Sequence, residues 1–168
     1  TEGNMKIEKA VLFPGADSAM FQEWMGNFLT HAQDNNATFQ AMYTYFDGMD
    51  TLSVTEQIPF SSDRKWSAMT FSGAGTLVIG APERLSPEKL PESVLEAQQN
   101  GKRVLLAGIT QHAVQKEQPL PEMQLLAEII LTDPLRANAA KTIAAFQQEG
   151  VSVKLISGDN PMTASAMA

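Results

Sequence analysis

Between Pro59 and Phe71 the chain sets an aromatic side chain, two adjacent cations and a strand-like run within thirteen residues: Pro59-Phe60-Ser61-Ser62-Asp63-Arg64-Lys65-Trp66-Ser67-Ala68-Met69-Thr70-Phe71. Phe60 offers a flat apolar face on which a heterocyclic base can stack. The Lys65 ammonium can reach a phosphate oxygen, so one short segment can grip both ends of one ligand. The plainer alternative is a β-strand after a polar turn, with Phe60 in a core and Arg64 and Lys65 solvated, which is how strands use such residues far more often. A second candidate is Ser157-Gly158-Asp159, between a strand-like and a helix-like stretch. Small residues there let backbone approach a phosphate, and the following helix start favours negative charge. Its plain alternative is an ordinary connecting loop in which Asp159 caps the helix.

Composition narrows the chemistry. The 168 residues suffice to bury a core, as one domain or as a small domain with a piece of another. There is no Cys, which removes disulfides, thiolate nucleophiles and cysteine zinc sites and suits an intracellular setting. His31 and His112 lie far apart without ligand-like spacing, so a histidine metal site is not expected. A formal charge of −7 and a pI near 4.8 oppose a nucleic-acid-binding face, so any phosphate must be held by a local set of cations. No apolar run approaches the roughly 18 residues of a membrane span, and Thr1-Glu2-Gly3-Asn4 has no basic-then-apolar signal pattern. The chain starts without Met and ends in a helix-like run from Met162 to Ala168, which reads as a piece of something larger.

The elements that must position these residues follow from periodicity. Asp17 or Ser18 can cap a helix bearing Phe21, Trp24, Met25, Phe28 and Leu29 on one face. Asn36 begins a second, with Phe39, Met42, Tyr43 and Phe46, ended by Asp47-Gly48. The period then becomes two: Leu52–Ile58, Trp66–Phe71 and Thr76–Ile79 read as strands, with Ser72-Gly73-Ala74-Gly75 as a hairpin turn. A helix over Pro87–Gln99 stops at Asn100-Gly101, a strand covers Arg103–Thr110, and Gln111–Pro121 is loop. Beyond Met123 the nearly continuous apolar run around Leu125–Leu131 suggests a strand covered on both faces. A helix with Leu135, Ala139, Ile143 and Phe146, a strand over Val151–Ile156 and a further helix complete a parallel βαβ pattern of the doubly wound kind. Asp133 and Ser157-Gly158-Asp159 would lie at its strand ends, where such sheets bind ligands.

Taken in order, these motifs resemble the P-type cation-transporting ATPases, over essentially the whole chain. Thr1-Glu2-Gly3-Asn4-Met5 is similar to the residues directly after the family's Asp-Lys-Thr-Gly-Thr phosphorylation sequence. Phe60-Ser61-Ser62-Asp63-Arg64-Lys65 resembles its adenine-stacking and lysine segment, and Gly80-Ala81-Pro82-Glu83 its Lys-Gly-Ala-x-Glu loop. Arg103 resembles an arginine that contacts phosphates; Asp133-Pro134-Leu135-Arg136 and Ser157-Gly158-Asp159 resemble the Asp-Pro-x-Arg and Thr-Gly-Asp motifs. The resemblance implies an α+β nucleotide-binding domain, an antiparallel sheet flanked by helices, over residues 11–124. It implies that this domain is inserted in a dehalogenase-like α/β phosphorylation domain, of which residues 1–10 and 125–168 are parts.

By the same resemblance the ligands are ATP and Mg2+, and the γ-phosphoryl group passes to an aspartate and then to water, driving ion movement. Phe60, Lys65, Gly80, Ala81 and Arg103 would bind nucleotide; Asp133, Arg136, Ser157, Gly158 and Asp159 would position phosphate and metal. The partners implied are the phosphorylation, actuator and transmembrane domains of the same chain, at the cytoplasmic face of a membrane, with no nucleic acid and with this piece monomeric and soluble. The Pro59–Ser67 segment looks closer to the calcium and magnesium branch than to the heavy-metal branch.

Three positions depart from the family pattern: Ile79 stands where a Lys precedes Gly80, Phe39 where a Glu follows Ala37-Thr38, and Ser157 where the motif has Thr. No Asp-Lys-Thr-Gly-Thr and no Gly-Asp-Gly-x-Asn-Asp occurs in these residues, so this piece is expected neither to form an aspartyl-phosphate nor to turn over ATP. Two other readings stand beside it. A free-standing dehalogenase-like phosphohydrolase would need an early Asp-x-Asp pair, which is absent; a non-catalytic regulatory or scaffolding module would suit Ile79 and Phe39.

Overall fold

The computed structural model describes residues 3–134, 136–154, 156 and 161–166. In chain order the elements are β1 (Lys6–Leu12), α1 (Ser18–His31), α2 (Ala37–Tyr45), β2 (Val54–Ser61), β3 (Trp66–Phe71), β4 (Gly75–Gly80), α3 (Pro82–Leu85), α4 (Glu92–Gln99), β5 (Arg103–Thr110), β6 (Gln124–Thr132), α5 (Ala139–Gln148) and α6 (Pro161–Ala166). The six strands form one sheet in the order β1-β6-β5-β4-β3-β2, with every neighbouring pair antiparallel. The expectation of an antiparallel sheet flanked by helices is met.

Both faces of the sheet are covered because its strands carry apolar side chains on both. On one face Phe21, Trp24, Met25, Phe28 and Leu29 of α1 and Phe39 and Met42 of α2 pack on Met69, Phe71, Leu77, Ile79, Ile129 and Leu131. On the other, Leu85 of α3 and Val94 and Ala97 of α4 pack on Ile58, Trp66, Val78, Val104, Leu106 and Ile130. The helices start where their caps dictate: Asp17 Oδ1 accepts from Met20 N at 2.7 Å and Asn36 Oδ1 from Phe39 N at 3.1 Å. Fully buried Asn27 fixes the way into β2. Its Oδ1 accepts from the backbone of Thr51 and Leu52, both at 2.8 Å, while its Nδ2 donates to Glu23 O and Thr51 Oγ1. Pro59 is accommodated within β2 because β2 is an edge strand, where a missing N–H breaks no ladder.

Three expectations are corrected. β6, expected in a parallel βαβ unit, lies between β1 and β5 and is antiparallel to both. Its apolar run correctly signals burial on both faces, but here the two helical layers of an antiparallel sheet supply that burial. No strand forms among the described residues of Val151–Ile156, which are exposed, so the parallel pair is not made. The helix expected from Pro87 begins only at Glu92, with Pro91 as its N-cap residue; a proline disfavours helical conformation in the residue before it, which holds the helix off until Pro91 has passed. β1 and α3 carry too little periodicity to be read from sequence. No helix among the described residues is long and apolar enough to cross a membrane.

Candidate functional site

At the end of the sheet where β2 and β4 finish and β3 and β5 begin, four connections frame a cavity of about 850 Å³. That volume lies in the range of small-molecule and cofactor sites. Its construction begins at Gly80. A Cβ there would sit 2.5 Å from Trp66 Cβ, 2.6 Å from the Lys65 carbonyl oxygen and 2.8 Å from Trp66 Cα. Only glycine lets the end of β4 come this close to the start of β3. The approach brings Ala81 N within 2.9 Å of Lys65 O, to which it donates, and the chain turns directly into α3.

Lys65 closes the tight connection between β2 and β3 with a left-handed backbone, φ 62°, and its N donates to Ser61 O at 2.7 Å. A non-glycine residue held in that region is under modest strain and persists because its surroundings fix it. The Lys65 Nζ lies 3.2 Å from Glu83 Oε1, and both residues line the cavity. The neighbouring cations are turned elsewhere. Arg64 stacks over Trp66, 5.3 Å from the ring centroid, and donates to Pro59 O, while Arg84 donates to Asp63 O.

The rest of the lining divides into an apolar wall and scattered polar groups. Phe60 on the edge strand is 38% exposed, so it serves the cavity and not the core; its N–H donates to Asp34 Oδ2. Opposite it the wall is Phe39, Met42 and Ile79, all core residues whose inner surfaces reach the cavity. Phe39 stacks on Phe28 at 6.0 Å. Beside it Tyr43 donates to Ala32 O, and burial, followed by the Asp34 charge, pushes the Tyr43 phenol above its ordinary pKa. Arg103, at the start of β5, lines the cavity and its Nη1 donates to Met5 Sδ at 3.5 Å. Gln98, near the end of α4, also lines it, is 2% exposed, and its Oε1 has no hydrogen-bond partner among the described residues. A buried polar atom in that condition is costly and is the kind of group a ligand satisfies.

Of the residues singled out from sequence, Phe60, Lys65, Gly80, Ala81 and Arg103 line this one cavity. Asp133 and Arg136 do not: Asp133 follows β6 on the far side of β5, with its Oδ1 buried and without a hydrogen-bond partner among the described residues, and Arg136 is exposed. Ser157, Gly158 and Asp159 lie outside the described residues. Glu83 is legible in the sequence only as part of a loop, and Gln98 carries no signal there beyond being a polar position near a helix end. No group of three or more His, Asp or Glu able to hold a metal occurs among the described residues.

No family model matches the chain. It is 36% identical over 171 residues to the Streptococcus pneumoniae protein named "Probable cation-transporting ATPase exp7", covering all of this chain and 22% of that protein. It is also 36% identical over 138 residues to the calcium-transporting ATPase CtpE of Mycobacterium bovis, covering 79% of this chain and 17% of that one. The chain thus spans less than a quarter of the length of these relatives. In fold it resembles the crystal structure of a zinc-transporting PIB-type ATPase in the E2P state, with a TM-score of 0.54 and 17% identity over 98% of this chain and 25% of that one.

Proposed function

The chain belongs to the P-type cation-transporting ATPases, and from that premise we propose that it is the part of such a pump that binds ATP. The observation that carries this reading is the meeting of an exposed aromatic ring, Phe60, with two cations, Lys65 and Arg103, on one cavity. Phe60 stands on β2 and Arg103 on β5, three inter-strand steps apart or about 14 Å, a span that suits an elongated ligand with a flat end and a charged end. Adenine stacks on Phe60, Lys65 holds the nucleotide, Gly80 and Ala81 offer close backbone, and Arg103 meets the phosphates.

The remaining roles rest on the resemblance. Asp133, Arg136, Ser157, Gly158 and Asp159 are proposed to position phosphate and Mg2+ from the phosphorylation side. The buried, unpartnered Oδ1 of Asp133 is a hard oxygen of the type Mg2+ takes, usually from one or two carboxylates together with substrate phosphates. The metal would supply charge neutralisation at the transferring group; the chain's own residues bind and align, which is most of what phosphoryl transfer requires. An inserted domain must leave and return at neighbouring points, and Lys6 of β1 pairs with Thr132 of β6. That adjacency supports a nucleotide domain set into a dehalogenase-like phosphorylation domain to which the two ends of the chain contribute. Coupling to cation transport at a membrane, and inactivity of this chain alone, are parts of the same proposal. Metal-dependent phosphoenzyme formation by these 168 residues would refute the last.

A second reading, a non-catalytic nucleotide-binding or scaffolding module, is favoured by Ile79 and Phe39, which make one wall of the cavity apolar. Calorimetric titration with ATP tests the nucleotide site and separates it from a scaffold that binds none. Loss of a base-stacking partner costs about 1–3 kcal/mol, so Phe60→Ala is expected to weaken ATP binding roughly five- to hundredfold, and Lys65→Ala to weaken ATP more than adenosine. No binding of millimolar ATP by the unsubstituted chain would refute the nucleotide site.

A further inference from the structure

We propose that Glu83 competes with the phosphates of the ligand for Lys65, so that the Lys65–Glu83 pair sets how strongly the site prefers phosphorylated ligands over neutral nucleosides. This rests on the nucleotide reading of the cavity and goes beyond it. Both residues line the cavity, and their side chains meet at 3.2 Å. The backbone beneath each is held in place. Lys65 is fixed by its left-handed backbone between Ser61 O and Ala81 N, and Glu83 stands two residues after Ala81, on the turn that the Gly80 approach holds against β3.

The contact is nevertheless weak enough to exchange. The two side chains are 43% and 38% exposed, and an ion pair so placed changes an equilibrium constant by only about one- to fivefold. A phosphate arriving at Lys65 shares the ammonium's three N–H donors with the carboxylate or displaces it, and in either case the carboxylate stays nearby as a like charge. The ligand therefore gains less from Lys65 than a solvated lysine would give. A neutral nucleoside has no use for the ammonium and is indifferent to the exchange. In a chain of net charge −7, one carboxylate beside the phosphate-holding cation is a direct control on anion affinity.

The test is calorimetric titration of the unsubstituted chain, Glu83→Gln, Lys65→Gln and the double variant with ATP and with adenosine. Thermal melts confirm folding, which these half-exposed positions should tolerate. Glu83→Gln is expected to tighten ATP about two- to fivefold and leave adenosine unchanged, and the gain is expected to shrink when Lys65 is already Gln. If Glu83→Gln weakens ATP, the carboxylate positions Lys65 and the inference is overturned. Equal tightening of adenosine, or ATP binding unchanged by the substitution, also overturns it while leaving the nucleotide reading standing. Failure of the unsubstituted chain to bind either ligand would instead overturn that reading.

Discussion

Gly80→Ala is the sharpest test of how the site is built, because the structure fixes what the added methyl group meets. Its carbon would lie 2.5 Å from Trp66 Cβ, 2.6 Å from Lys65 O and 2.8 Å from Trp66 Cα. Relaxed carbon contacts need about 3.5–4.0 Å, so β4 must move off β3 by roughly 1 Å at this end. None of the three atoms is the tip of a flexible side chain, so the backbone must give. Overpacking of this kind costs about 1–3 kcal/mol, and opening the Ala81 N to Lys65 O bond adds about 1 kcal/mol, for a sum of about 2–4 kcal/mol. For a domain of this size that is a fall in Tm on the order of 4–16 °C. The comparison is Gly73→Ala, at φ +69° with nothing within 4 Å, where only left-handed strain of about 1–2 kcal/mol is added and the cavity is untouched. Differential scanning calorimetry gives the two melting points, and ATP titration tells whether the loss reaches the site. If Gly80→Ala melts no lower than Gly73→Ala and binds ATP like the unsubstituted chain, the close approach of β4 to β3 does not set the geometry of the site.

Asn27→Ala should cost about 3 kcal/mol in urea denaturation, since it leaves the Thr51 and Leu52 N–H groups without their buried acceptor; a loss below about 1 kcal/mol would mean that water replaces the amide. The raised pKa of Tyr43 has a fixed sign. The folded state holds the phenol proton more tightly than the unfolded state, so stability is full below the ordinary value of 10.0 and falls as the pH climbs through and above it. Tyr43→Phe should flatten that alkaline decline in stability between about pH 9 and about pH 11, measured by urea midpoints, and an unchanged slope would reject the assignment.

The strongly periodic parts of the fold were legible. Phe21, Trp24, Met25, Phe28 and Leu29 show a helical face whose partner can only be a core, and the hairpin glycines Gly73 and Gly75 both take positive φ as its turn requires. What failed was inference from burial to direction. Leu126, Ile129, Ile130 and Leu131 are all buried, as a strand covered on both faces demands, but burial is equally compatible with parallel and antiparallel neighbours. Ile143 and Phe146 on α5 keep a helical stripe that the described residues leave exposed, so periodicity there specified a helix without specifying what covers it. In the site, Phe60 and Lys65 could be suspected from type alone. Glu83 could not, because its contact depends on Gly80 bringing two strand ends together, a long-range event with no local pattern.

Ile79 and Phe39, read from sequence as departures from a family pattern, have a physical role in the structure that bears on the site as a whole. Each is 3% exposed and belongs to the core under α1 and α2, yet each also reaches the cavity wall. A Lys at position 79 would root its stem among Phe39, Met42 and the sheet, so its ammonium would have to extend into the cavity to escape the desolvation cost of this apolar setting. With Ile there, the wall is continuous with the core, and on the proposed nucleotide reading recognition on that side rests on shape and dispersion against Phe39 and Ile79. On the nucleotide reading proposed above, the charged side of the cavity carries the discrimination between phosphorylated and neutral ligands, with Lys65 and Arg103 attracting anions and Glu83 moderating them. If the cavity binds nucleotide as proposed, an apolar wall anchored in the core and charged residues at the strand ends divide the work, so substitutions in the first should change affinity for all nucleosides alike and those in the second should change it according to charge.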